Sequence, residues 1–288
     1  DASGNANTNN ANIIYSNPWS TGSYTDTLTL PATGTYTIFL NPNGADTGSM
    51  TFHLVSVPAD ATGTISVGGS DTTLTTTVGQ NGSLTFSGTA GQRIYLSAPN
   101  STYPRSEGLN FYKPDASGNA NTNSANIIYS SSWSTGSYTD TLTLPATGTY
   151  TIYLNPIGAD TGSMTFHLIS VPADATGTIS IDGADATLTT TAIGQNGSLT
   201  FSGTSGQRIY LSVPNSTYPR SEGVNLYKPD ASGNANTNSG NIIYSNPWST
   251  GSYTNTLTLP ATFPLTHYGH FRSRCDFWVH LRLRLGFL

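Results

Sequence analysis

The sequence predicts an all-β chain of tandem β-sandwich domains, jelly-roll or Ig-like, with about nine short strands in each. Three observations carry that expectation. Apolar and polar residues alternate in short bursts, no stretch keeps helical spacing over three turns, and the whole pattern recurs at the length of a domain.

The alternation is clearest in GTYTIYLNP, where Tyr150, Ile152 and Leu154 fall on one face and Thr149, Thr151 and Tyr153 on the other. By the same period, Met164, Phe166 and Leu168 point inward in GSMTFHLISV, Leu142 and Leu144 in TDTLTL, and Leu84 and Phe86 in GSLTFSG. Ile94, Leu96 and Ala98 in QRIYLSAP, Leu109 and Phe111 in GLNFYKP, and Ile65 and Val67 in GTISV follow the same rule, and NIIYS and DTTLTTT complete the set. GQNGS, PDASGN and PADATG read as turns between strands, with Asn81-Gly82 a hairpin signal. Short antiparallel strands with one apolar face each need a second sheet to cover that face, hence a sandwich. Strand order cannot be read from such a pattern.

The repeat is marked by DASGNAN at Asp1, Asp115 and Asp230, steps of 114 and 115 residues, with the extra residue in TTAIGQNG near Ile193. Residues 1–62 and 115–176 differ only at Asn10/Ser124, Asn17/Ser131, Pro18/Ser132, Phe39/Tyr153, Asn43/Ile157 and Val55/Ile169. Such a period is a whole domain rather than a solenoid unit. The polar, proline-bearing VPADATG reads as the linker. That cut makes residues 1–57 the C-terminal half of a first repeat and 58–172 a complete repeat, with linker 58–63. Residues 173–262 are then a third, incomplete repeat, and 263–288 a divergent tail.

The runs GSLTFSGTAGQRIYLS, LNFYKPDASGN, TDTLTLPATGTYTIYLNP and GSMTFHLISVP resemble the bacterial pre-peptidase C-terminal type of β-sandwich. They are similar above all to its tandem copies in large secreted or surface proteins, including those with YD (Rhs-type) repeats. The resemblance covers nearly everything before Phe263, and it implies an extracellular, non-catalytic module appended to a larger protein. Neither a peptidase domain nor a YD motif is present in the chain.

After Thr262 the pattern stops: LPATFPLTHYGHFRSRCDFWVHLRLRLGFL stands where LPATGTYTIYL is expected. The last 26 residues hold four of the ten Lys and Arg, three of the five His and the only Cys. A shifted reading frame or mispredicted gene end is the favoured account. The competing one is a basic amphipathic segment for a membrane or partner, since Val279, Leu281, Leu283 and Leu285 alternate with His280, Arg282 and Arg284. Such a segment could also supply the missing strand of the third sandwich.

Composition narrows the function classes. Only 9% of the 288 residues are charged, against about 25% in an ordinary soluble domain, and Ser, Thr, Asn and Gly carry the polarity. The net charge of −5 and scattered Lys and Arg leave no basic face for nucleic acid. Apolar runs are too short for a membrane helix. The chain opens on a polar string without a signal pattern, so an export signal is expected upstream or already removed. Cys275 stands alone, which excludes a disulfide framework in the repeats. The Thr, Asn and Gly richness points to an extracellular or cell-surface setting.

Candidate chemistry is sparse. Asp115, Ser117 and Asn119 place oxygens at alternate positions, like the start of a calcium loop, but Asn126 stands where a bidentate Glu is needed. An Asx-type turn is the favoured reading, with calcium the weak candidate and no other cofactor implied. His53 and His167 read as exposed strand residues. Arg105 and Glu107 read as a surface pair, with a recognition role as the lesser alternative. Each repeat has one Trp in WSTGSY followed by a Tyr: Trp19 and Tyr24, Trp133 and Tyr138, Trp248 and Tyr253. These pairs could stack on sugar rings; burial at the end of the sandwich is the favoured alternative. No GxSxG elbow or Ser, His, Asp grouping supports nucleophilic catalysis.

The leading expectation is thus a non-enzymatic spacer or adhesive stalk whose partners are neighbouring domains of the same parent protein, with surface glycans or proteins as further candidates. A carbohydrate-binding module using the Trp and Tyr residues is the alternative, and a hydrolase the least supported third.

Overall fold

In the computed structural model, which describes residues 3–260 and the backbone of Cys275–Leu281, the middle repeat forms nine strands in two facing sheets. The strands are β1 (Ala61–Thr64), β2 (Thr72–Thr76), β3 (Gly82–Gly88), β4 (Arg93–Ser101) and β5 (Glu107–Tyr112). Then follow β6 (Ile127–Trp133), β7 (Leu142–Thr143), β8 (Gly148–Asn155) and β9 (Gly162–Ser170). One sheet has the order β1-β3-β8-β5-β6 and the other β2-β9-β4-β7. Strands β2 to β9 pair antiparallel throughout, and their order is that of an eight-stranded jelly roll, which decides between the two sandwich types. Strand β1 is added at the edge, parallel to β3. Ala61, Thr62 and Gly63, read from sequence as the end of the linker, therefore belong to a strand.

The alternation explains the core. Leu84, Phe86, Ile94, Leu96, Ala98, Leu109, Phe111, Ile152, Leu154, Met164, Phe166 and Leu168 are all buried between the sheets. Phe86, Phe111 and Tyr150 stack on one another with centroids 5.3–5.7 Å apart. Each large side chain so buried contributes roughly 1.5–3 kcal/mol. Leu142 and Val67 are only partly buried, at the margin of this core.

Residues 3–60 contain no strand, although 13–56 repeat the sequence of β6 to β9 almost residue for residue. Ile38 is 62% exposed where Ile152 is 0%, and Leu54 is 86% exposed where Leu168 is 1%. The cause is the lack of partners: the strands that β6 to β9 pair with are β2 to β5, and nothing before residue 13 in this chain corresponds to them. Purely local bonds survive in both settings. Tyr36 donates from its hydroxyl to the Ala32 carbonyl, as Tyr150 does to Ala146, and the Asn9 side chain accepts from the Ala11 amide, as Asn123 does from Ala125.

The third repeat lies between these extremes. Strands β10 (Ala175–Thr178), β11 (Gly197–Gly203), β13 (Glu222–Tyr227) and β14 (Ile242–Trp248) rebuild the first sheet around β16 (Cys275–Leu281), in the order β10-β11-β16-β13-β14. Strand β16 takes the place of β8, with Leu281 opposite Gly197 and Cys275 opposite Gly203, as Leu154 is opposite Gly82 and Gly148 opposite Gly88. Phe277, Val279 and Leu281 thereby hold the register positions of Tyr150, Ile152 and Leu154. This is the strand role weighed for the tail; the rest of the tail lies outside the described residues. Among the described residues the second sheet is reduced to β12 (Arg208–Ile209) and β15 (Leu257–Thr258), with no strand in the position of β9.

Candidate functional site: the joints between repeats

The two VPADATG segments are held by the same set of bonds. In the first joint, the Gln80 side chain donates to the Ala59 carbonyl (2.6 Å) and accepts from the Thr77 amide (3.0 Å). In the second, Gln195 donates to Ala173 (2.7 Å) and accepts from Thr191 (2.6 Å). The hydroxyl of Thr27 donates to the Gly79 carbonyl across the first joint, and that of Thr141 to Gly194 across the second. Arg93 pairs with Asp174 in the second joint. The inserted residue near Ile193 lengthens the loop from Thr191 to Gln195 without changing this pattern.

Gly79 and Gly194 are glycines for two reasons. Their φ values are +73° and +76°, and a Cβ would come within 2.9 Å of Val57 in one joint and 3.1 Å of the Tyr95 ring in the other. The turn of one repeat is thus seated directly on the end of the preceding one. Tyr95, on an otherwise polar face, is buried there; desolvation by that burial and then the neighbouring Tyr138 hydroxyl raise its pKa to about 12.

The aromatic pairs read from sequence do not form one cluster. Trp133 is 1% exposed, donates from Nε1 to the Tyr129 hydroxyl (3.1 Å) and lies against Phe166. Trp248 is buried likewise, bonded to Tyr244 (2.9 Å). Neither indole offers a face to a sugar, which corrects the glycan-stacking role considered for them: the ring closes the sandwich end. Trp19 is half-buried, bonded to Tyr15 and beside Phe52. Tyr138 stacks on Tyr95 at the second joint (5.8 Å), Tyr253 stacks on Tyr210 (6.0 Å), and exposed Tyr24 lies over Gly158.

Asp115 serves its turn. One carboxylate oxygen accepts from the amides of Ser117 and Asn119, both at 2.8 Å, and Asp230 does the same for Ser232 and Asn234. The Asn residues that follow continue the pattern: Asn121 donates to the Lys113 carbonyl and accepts from the Asn123 amide. Ser117 and Asn119 thus enter the loop through their backbone. Among the described residues no group of three or more His, Cys, Asp or Glu is placed to hold a metal ion.

Arg105 and Glu107 do not pair as expected. Arg105 grips the Asp160 carboxylate with two nitrogens, while Glu107 is fully buried and accepts from the Ile157 amide (2.6 Å). Desolvation raises the Glu107 pKa, the Ile157 bond opposes that, and the nearby Asp160 carboxylate adds to it. The guanidinium of Arg105 holds Asp160 below its usual value. Glu222 repeats the burial in the third repeat, with a raised pKa for the same first cause. This acidic position was legible: Glu107 is in phase with Leu109 and Phe111. His167 is partly exposed and faces Asp71 through Nδ1 at 2.5 Å.

Two shallow clefts flank β1 and β10, lined by Thr64, Ile65, Thr85 and Phe86 in one and by Thr178, Ile179, Thr200 and Phe201 in the other, with no titratable side chain in either lining. Among the described residues no helix is long and apolar enough to cross a membrane.

No family model and no curated protein matches the chain. Among solved structures, it is similar to the crystal structure of Aeromonas hydrophila PliG, a periplasmic lysozyme inhibitor of g-type lysozyme. The identity is 18%, over 38% of this chain and 98% of that one, with a TM-score of 0.28. A likeness of that size carries nothing about function.

Proposed function

We propose that the chain is a non-catalytic spacer or stalk segment of a larger secreted or cell-surface bacterial protein, in the manner of tandem pre-peptidase C-terminal-like repeats. One observation carries this reading: both joints are pinned by the same three-part contact of Gln side chain, linker carbonyl and threonine hydroxyl. A chain that only tethered its ends would have no use for bonding its linkers. A chain that must hold a distance needs each repeat fixed on the last. The near-identity of copies agrees, since reach grows with copy number while no copy needs a site of its own. The extracellular setting rests on composition and on the resemblance.

Small-angle scattering tests it. The middle and third repeats are expected to keep one narrowly distributed separation, and Gln195→Ala is expected to broaden it while leaving the unfolding midpoint of the middle repeat in place. A distribution already as broad as that of freely jointed repeats would refute the spacer reading.

A further inference from the structure

We propose that the middle repeat pairs edge to edge with the middle repeat of a second copy through β6, so that two chains lie side by side. Strand β6 ends the five-stranded sheet, with β5 its only strand partner among the described residues, and Ser130, Ser131 and Ser132 are exposed along it. The copies differ at this strand. Residues 242–248 read IIYSNPW, as residues 13–19 do, whereas β6 reads IIYSSSW. Pro247 shows which way the backbone points there. It stands opposite Gly223 in β14 as Ser132 stands opposite Gly108 in β6, and β14 keeps its ladder without an amide hydrogen at that position. The N–H of Ser132 therefore faces away from the sheet, on the side of an edge strand where proline is tolerated. Alternation gives Ser130 the same direction.

A proline on an outer edge removes a donor that a strand from another molecule needs, and so guards the edge against pairing. The middle repeat has serine in its place and presents the amides and carbonyls of Ser130 and Ser132 outward. The occupant is a second β6 for two reasons. Strand addition to a foreign peptide draws its specificity from pockets for alternate side chains, and a run of serines builds none. The strand also carries no charge, so two copies meet without repulsion. Antiparallel pairing about a two-fold axis at Ser131 sets Ser130 of each copy opposite Ser132 of the other, where both exchange their backbone bonds. Ser131 then faces its own counterpart. The contact is isologous and closes as a dimer, and its small size makes it weak. It rests on the middle repeat alone and stands or falls apart from the spacer reading.

Disulfide trapping tests it. Ser131→Cys in a Cys275→Ser background places two thiols across the axis, with α-carbons about 4.5 Å apart in such a pair, inside the roughly 4.4–6.8 Å span of a disulfide. Oxidation is expected to give a cross-linked dimer that does not form with Asn246→Cys, the counterpart beside Pro247. Adding Ser132→Pro, the residue that β14 holds at the same register, is expected to abolish the cross-link while the middle repeat unfolds at its usual midpoint. Sedimentation of the unsubstituted chain is expected to show mass rising toward that of a dimer with concentration, and Ser132→Pro to remove the rise. A chain that stays monomeric at every concentration, its edge left to a strand of another protein or to none, overturns the proposal. So does a dimer that Ser132→Pro leaves intact, or a cross-link that forms equally at Asn246→Cys.

Discussion

The three tryptophans form an internal series in which one residue type sits in a complete, a partial and an unpartnered copy of the same fold. Trp133 is closed on all sides, bonded to Tyr129 and packed against Phe166. Trp248 keeps its Tyr244 bond, but its repeat has no β9 among the described residues and so no counterpart of Phe166. Trp19 is half-buried on a segment without strands. Truncation to alanine should therefore cost about 3–5 kcal/mol at Trp133, about 2 kcal/mol at Trp248, and within about 0.5 kcal/mol at Trp19. With a urea slope of about 1–3 kcal/mol per molar, Trp133→Ala should lower the midpoint of the middle repeat by roughly 2 M. Urea unfolding followed by circular dichroism, with hydrogen exchange to assign each transition to its repeat, measures all three. Equal costs across the series, or an unmoved midpoint in Trp133→Ala, would refute the argument that the indole is a closing element whose worth depends on the strands around it.

Two further outcomes follow from buried groups. Burial raises the Glu107 carboxyl in the folded chain, so between the ordinary glutamate value and the raised one the native state holds a proton that the unfolded state has released. Stability therefore falls as pH rises through that window; Glu107→Gln should remove this slope, and parallel pH profiles for the two proteins would contradict it. Gly148 has φ +151°, and a Cβ there would lie 2.7 Å from the Gly118 carbonyl oxygen and 2.8 Å from Pro114. Gly148→Ala should cost about 1–3 kcal/mol in the middle repeat, read as a lower midpoint; an unchanged midpoint would show that the β8 entry can shift.

Much of the fold was legible because a strand with one wet face writes its orientation into every second residue. Glu107 obeyed that rule too, in phase with Leu109 and Phe111, and only its charge disguised an inward position. The fate of Trp133 was not legible, since alternation gives a face but not whether another element covers it. Sheet order, and the parallel addition of β1 from within the linker, depend on contacts between distant residues and leave no local trace. The first repeat makes the point most sharply: its Asn and Tyr bonds are those of the middle repeat, while its strands are missing. Local hydrogen bonds follow sequence; ladders follow partners.

That dependence on partners is best tested by comparing two near-identical segments of one molecule. Amide exchange of residues 28–40 should be measured against that of residues 142–154 side by side in the same chain. Protection across Gly148–Leu154 with free exchange across Gly34–Leu40 is the result expected. Similar protection in both would show that the strand is a property of the segment itself, and would contradict the account.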